Sequence, residues 1–317
     1  MMNYKALIRY EGNPIITPED VPFECAAVFN SGATMFDGKV LFLLRIEDYK
    51  RDMYFHVATS DDGVKFDVNP KPINYPLHPV EAKHGGERSG KMRFDPRITR
   101  LEDAYYICHA TYVEGLDCLW GMARTTDFVN FEPIYTSLPA NRNAMLFPEK
   151  INGRYARLDR PMLPGDGGGI WLSYSPDLRY WGDHMPVVLP ATGWNYTKLG
   201  PGATPIKTEQ GWLEIYHATA RNCSVLNYFL GAVLLDLEDP SKVIGHSDRF
   251  LLQPEKEYEC VGQVPNVVFT CGAVETGDGN LNIYYAGADT CMCLATAKTQ
   301  DIIDLCLESY SREETAR

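Results

Sequence analysis

The sequence predicts an all-β fold, a five-bladed β-propeller, on three observations. A signature of Ser or Thr, any residue, Asp, three residues and a large aromatic occurs at Ser60–Phe66, Thr125–Phe131 and Ser175–Trp181. Each copy follows an apolar run, Met53–Ala58, Leu119–Ala123 and Gly169–Tyr174, and weaker echoes end two later runs at Asp236 and Asp301. The five Asp positions lie 50 to 65 residues apart, which is the period of a propeller blade with some long loops. Helical periodicity is nearly absent from the 317 residues.

Taken in order, each unit supplies strands and turns. Val40–Arg45, Tyr105–Ala110, Ile170–Tyr174, Trp212–Ala218 and Leu281–Ala286 are short runs rich in β-branched, aromatic and aliphatic residues. Phe36-Asp37-Gly38-Lys39 and Thr276–Asn280 are hairpin turns by composition. Within the repeated signature, the Ser/Thr and Asp side chains are suited to cap a turn between outer strands, and the aromatic to pack between blades. The Pro-rich stretch Asn69–Pro79 reads as loop, and the charged tail Ser311–Arg317 as frayed. No linker divides the chain, so residues 1–317 are read as one catalytic domain.

Composition excludes several functions. With 30 Lys and Arg against 42 Asp and Glu the formal net charge is −12, and no long basic run offsets it. Nucleic acid and an anionic membrane surface are therefore poor partners. No apolar run is long enough to span a bilayer, and the opening residues lack a signal core. Nine cysteines without framework spacing point to a reduced, cytoplasmic protein whose thiols act as small buried hydrophobes. Nineteen tyrosines and five tryptophans suit sugar stacking as well as a β-rich core. His84-Gly85-Gly86-Glu87 is too short to signal a metal site, and no P-loop, GxGxxG or GxSxG motif occurs.

In a propeller the innermost strands converge on a central channel, so polar residues near the start of each unit are the candidates for chemistry. They are Asn30 and Arg45, then Asp95, then Arg142, Asn143 and Arg160, then Lys198 and His217, and finally Asn266 and Asp289. Arg45 and His217 interrupt apolar strands, where a charge must be paired or face a polar cavity. Asp95 stands between Phe94 and Pro96, which predicts a turn at the mouth of a strand. A carboxyl hemmed by apolar groups can stay protonated and act as a general acid, provided Arg93 and Arg97 point elsewhere. Read singly, Asp-Pro is equally an ordinary turn opener, and each basic residue an ordinary ion pair on an acidic protein.

Taken together, Asn13-Pro14-Ile15-Ile16, Phe29–Ala33, Arg93–Arg97, Phe147–Lys150, Arg160-Pro161 and Gly200-Pro201-Gly202 resemble glycoside hydrolase family 130, the inverting β-mannoside phosphorylases. The resemblance spans most of the chain and implies a five-bladed propeller, in agreement with the repeat. It implies that Asp95 is the general acid, acting through the mannose 3-hydroxyl. Arg142, Asn143, Arg160, Lys198, His217 and Asp289 would serve the phosphate side of the site. Asn30, Arg45, Tyr228 and Asn266 would bind the sugar. No metal or cofactor is expected, only inorganic phosphate as co-substrate with a β-mannoside oligosaccharide.

The chemistry is coherent on its own terms, because an inverting displacement needs an acid on one face and a nucleophile on the other. Phosphate is already an anion and needs positioning cations instead of a base. The expected reaction is phosphorolysis of β-1,4-mannosides, of the mannooligosaccharide or mannosyl-N-acetylglucosamine type. The rivals are β-1,2-mannoside phosphorolysis, inverting hydrolysis on a five-bladed propeller, and sugar binding without turnover. The sequence sets no oligomeric state, and a homo-oligomer is compatible with it.

Overall fold

Five antiparallel sheets form the protein, and the connection from each to the next places them in chain order around one axis. The computed structural model describes residues 7–84, 91–165, 167–223 and 225–316. Blade one runs Ala27–Phe36, Lys39–Glu47, Met53–Ser60 and Asp67–Val68. Blade two runs Arg93–Leu101, Ala104–Val113, Asp117–Thr125 and Glu132–Thr136. Blade three runs Asn141–Leu146, Tyr155–Pro161, Ile170–Ser175 and Gly182–Val188. Blade four is built on Lys198–Gly200, continued by Ile206–Lys207, then Trp212–Asn222, Val225–Leu235 and Val243–His246. Blade five runs Val268–Thr276, Asn280–Gly287 and Cys291–Lys298, and the N-terminal strand Ile8–Arg9 completes it by pairing Ile8 with Thr296. The two ends of the chain thus close one sheet, which leaves the ring without an open seam.

The repeated signature does what its residue types suggest. Asp62 Oδ1 accepts the amides of Val64 and Lys65 at 2.9 and 2.8 Å, and Ser60 Oγ accepts that of Gly63. Asp127 and Asp177 repeat the arrangement with Thr125 and Ser175. Asp236 caps its turn in the same way, through the amides of Glu238 and Asp239. The aromatics then pack at blade boundaries. Phe66 stacks on Phe42 at 4.0 Å and meets Tyr284 of blade five edge-on. Trp181 of blade three meets Tyr135 of blade two. Asp37 and Gly38 both have positive φ, as the predicted hairpin turn requires.

Two expectations need correction. Asp301 does not end a fifth turn, because it lies in an 18-residue helix, Thr299–Ala316. Ser311–Ala316 belong to that helix too, so that part of the tail is ordered secondary structure. Ile302, Ile303, Leu305 and Cys306 are buried against blades four and five, and Gly245 sits directly beneath Cys306. The apolar face spans barely one turn inside an acidic segment, too short for its period to stand out. Seven of the nine cysteines are buried and all are free thiols, as small hydrophobes would be. Gly85–Glu87 lie outside the described residues. Among the described residues, no helix is long and apolar enough to cross a membrane.

Candidate active site

Three of the innermost strands break register at one equivalent place. The pairing slips between Phe29 and Gly32 in blade one, between Phe94 and Arg97 in blade two, and between Arg142 and Met145 in blade three. The slips hold Asn30, Asp95 and Asn143, at φ of 46°, 55° and 60°. Asn and Asp tolerate this left-handed conformation better than other non-glycine residues. A bulge re-aims a side chain that a regular strand would bury between sheets. Asp95 is therefore not at a turn before a strand, as expected, but inside one, and Pro96 is accommodated because the bulge leaves it outside the ladder. Close approach of the inner strands is helped by glycine: a Cβ on Gly32 would stand 2.7 Å from Pro96 O, and one on Gly272 2.5 Å from Ala33 N.

Asp95 is 1% exposed, and both its oxygens are engaged. Oδ1 accepts Asn30 Nδ2 at 2.9 Å and Arg45 Nη1 at 2.8 Å, and Oδ2 accepts Arg142 Nη2 at 3.0 Å. Arg45 is held from both sides by aromatic faces, with Phe29 at 3.9 Å and Phe94 at 5.2 Å from its guanidinium. Arg93 and Arg97 do point elsewhere. Arg93 donates to Tyr75 O, Pro76 O and Glu81, and Arg97 to the carbonyls of Asp95, Pro201 and Gly202. The expectation of a raised carboxyl nevertheless fails for the free site. Burial would raise Asp95, but Arg45, Arg142 and Arg97, with the Asn30 amide, outweigh it and hold the group below the ordinary carboxylate value. The two arginines that matter come from other blades, where sequence proximity gives no warning of them.

Arg142 joins Asp95 to a second group of polar residues: it stands opposite Arg160 on the neighbouring strand, and His217 in turn stands opposite Gly200 in blade four. Lys198 lies over the Tyr228 ring at 5.6 Å, and His217 packs on Phe269 at 4.4 Å. A side chain at position 200 would collide with both His217 and Arg160, so Gly200 is the residue that lets them meet. Burial, and then the charges of Arg160, Arg97, Arg142 and Lys198, push the His217 imidazole far below its usual value, so it is neutral. Asn143, 2% exposed, leaves both amide atoms without a partner among the described residues, and His217 Nδ1 is in the same position. Buried polar atoms left open beside a cluster of cations fit an anion.

Asp95 and Arg142 open onto a cavity of about 270 Å³. Asn30, Arg45, Asp95, Arg142, Tyr228 and Asp289 all line it. Asp289, on the turn between the last two strands of blade five, faces the Asp95 side. Burial and the neighbouring Asp95 charge raise it to about 6, against the pull of Arg45 and Arg142. Asn143, Arg160, Lys198 and His217 are buried and are not part of the cavity lining. Asn266 stands on the loop behind Tyr228, whose amide its carbonyl accepts at 3.0 Å. Sequence reasoning missed the apolar wall of Phe94, Tyr112, Phe269, Met53, Met92 and Val267. Only Phe94 carried a signal, as the neighbour of Asp95.

A buried carboxylate at a small cavity, joined through Arg142 to a buried basic group on a five-bladed propeller, is the equipment of a carbohydrate-active enzyme. The family profile described as beta-1,4-mannooligosaccharide phosphorylase matches residues 7–308. The chain belongs to that family, glycoside hydrolase family 130. It is 37% identical over 307 residues to the beta-1,4-mannooligosaccharide phosphorylase of Ruminococcus albus, covering 93% of this chain and 89% of that one. It is 33% identical over 361 residues to the beta-1,2-mannobiose phosphorylase of Listeria innocua, covering 94% and 97%. The Listeria innocua beta-1,2-mannobiose phosphorylase structure, a complex with beta-1,2-mannobiose, superposes with a TM-score of 0.84 at 31% identity, over 95% of this chain and 99% of that one.

Proposed function

We propose that this enzyme catalyses the inverting phosphorolysis of β-1,4-linked mannosides, releasing α-mannose 1-phosphate and the shortened acceptor. The observation that carries the reading is the buried Asp95 carboxylate bonded to Arg142, which stands cross-strand from Arg160 and so joins the acid to a buried basic group of Arg160 and Lys198 with Asn143 and neutral His217. In the reaction the bond from the mannosyl C1 to the glycosidic oxygen breaks as a phosphate oxygen bonds to C1 from the opposite face. The Asp95 proton passes to the departing oxygen through the mannose 3-hydroxyl. Phosphate brings the nucleophile and Asp95 the proton, so no further cofactor is required.

The free carboxyl of Asp95 is held down by arginines, so it must gain its proton as the complex forms. Phosphate beside Arg142 offsets that guanidinium's charge, and the sugar expels water from the cavity. Both changes raise a carboxyl. A β-1,4 linkage is favoured by the likeness to the Ruminococcus albus enzyme, and β-1,2 phosphorolysis, the activity named for the Listeria innocua relative, is the second reading. A cytoplasmic setting accords with nine unpaired thiols.

The test is incubation with β-1,4-mannobiose, mannosyl-N-acetylglucosamine and β-1,2-mannobiose, each with and without phosphate, with assay of mannose 1-phosphate. The reading expects product only with phosphate, and from a β-1,4 substrate. Equal sugar release without phosphate would make the enzyme a hydrolase, and no turnover of any substrate would leave a binding protein.

A further inference from the structure

We propose a second sugar-binding cleft, outside the catalytic cavity between blades one and two, that takes a mannosyl unit of the acceptor part of a longer oligosaccharide. The proposal rests on the phosphorolysis reading for the direction of the chain. The catalytic cavity of about 270 Å³ falls short of the roughly 300–1,000 Å³ of typical small-molecule sites, yet it must hold a mannosyl unit with phosphate alongside. Further units of a chain have to lie beyond it.

A separate cleft of about 380 Å³ is lined by Met53, Tyr54, Phe55, Asn74, Tyr75 and Arg93. Met53 belongs to both cavities, so one side chain forms the partition between them. Its Sδ accepts Arg45 Nη2 at 3.2 Å on the catalytic side. Methionine is unbranched and repacks easily, which suits a wall that a chain of sugars has to pass.

The lining has the chemistry of a pyranose site. Half-buried Tyr54 offers a ring face for the C–H side of a sugar, backed by buried Phe55 and by Tyr75, whose ring carries the Arg93 guanidinium at 4.7 Å, and the exposed Asn74 amide offers a donor and an acceptor for hydroxyls. Asp52, two residues before Tyr54, accepts Lys91 Nζ at 3.0 Å and the Tyr54 hydroxyl at 3.4 Å. Arg93 is a rigid floor: its terminal nitrogens are committed to Tyr75 O, Pro76 O and Glu81, at 2.7 to 2.8 Å. Its Nε, in a side chain only 3% exposed, has no partner among the described residues. An open buried donor in the wall of an aromatic cleft is a second, independent sign of a polar ligand.

The experiment compares kcat/KM for β-1,4-mannobiose and β-1,4-mannotetraose at saturating phosphate in wild type, Tyr54→Ala and Asn74→Ala. Tyr54→Ala should lower the value for mannotetraose roughly three- to ten-fold, the loss of one aromatic contact. Mannobiose should stay within about two-fold, as for a substitution that touches neither substrate nor core. Asn74→Ala, at an exposed position where folding is safe, should show the same selectivity with a smaller loss. Equal losses on both substrates, or none on mannotetraose, overturn the proposal. If wild type phosphorolyses neither substrate, the function reading fails, and calorimetric titration of mannotetraose decides the cleft by itself. Weaker binding to Tyr54→Ala than to wild type supports it, and unchanged or absent binding overturns it.

Discussion

The two walls of the candidate active site are built on opposite terms. On the wall around Asp95 the charges meet within the chain, where Asn30 and Arg45 of blade one and Arg142 of blade three bond the carboxylate at 2.8 to 3.0 Å. Asn30 Oδ1 and Arg45 Nε remain open there, but each side chain keeps a bond to the carboxylate. On the wall from blades three and four, Asn143 is open at both amide atoms and His217 at Nδ1. A buried polar group without a partner costs about 1–3 kcal/mol, so this wall carries a standing penalty, of which the part at the Asn143 Nδ2 donor is one that an anion could remove. The first wall is closed by contacts within the chain, whereas the second keeps its amide and imidazole atoms open to a partner.

The contrast can be broken from either side. The largest effect belongs to Asp95→Asn, which keeps the shape and removes the proton. It should lower kcat by roughly 10²–10⁴. Wild-type kcat should fall as pH rises through the Asp95 value in the complex, because the acid form is the active one, and the variant should lose that limb. A kcat within a few-fold of wild type would leave Asp95 as a structural residue only. An activated aryl mannoside, whose leaving group needs less protonation, should recover part of the rate.

Next in size is Arg160→Ala on the open wall. A guanidinium–phosphate pair in a pocket contributes about 2–5 kcal/mol, so kcat/KM for phosphate should fall by roughly 30-fold or more. The mannoside KM at saturating phosphate should move much less. Loss of both in parallel would mean that the wall shapes the sugar site instead of the anion site.

The smallest change sharpens the comparison most. Asn143→Gly keeps the left-handed backbone without steric cost and deletes two unsatisfied atoms, so stability to urea should stay within about 1 kcal/mol of wild type. The phosphate KM should rise roughly ten-fold, the value of one hydrogen bond from the Asn143 Nδ2 donor to a charged ligand. A variant that lost stability while keeping its phosphate KM would place Asn143 among the structural residues.

Much of this was legible in the chain. The spacing of Asp62, Asp127, Asp177 and Asp236 announced the blades because each of these side chains caps a turn using only its own neighbours in sequence. Local chemistry repeats where local structure repeats. The inner-strand polar residues were legible for a related reason: a charge in an apolar strand must face something polar. The C-terminal helix was not, since what stabilises it is burial of one short face on blades four and five, not its own periodicity.

By itself, then, the sequence determined the repeat, the strands and turns, the acidic balance and the residue types available at the channel. Only the tertiary structure decided how those residues act on one another. Asp95 and Arg45 are 50 residues apart, and Asp95 and Arg142 are 47, yet they share a carboxylate within hydrogen-bonding distance. Arg93 and Arg97, its neighbours in sequence, spend themselves on carbonyls and Glu81. The physical reason is that charge interactions follow distance and burial, and in a ring of blades both are set by convergence on an axis, not by separation along the chain.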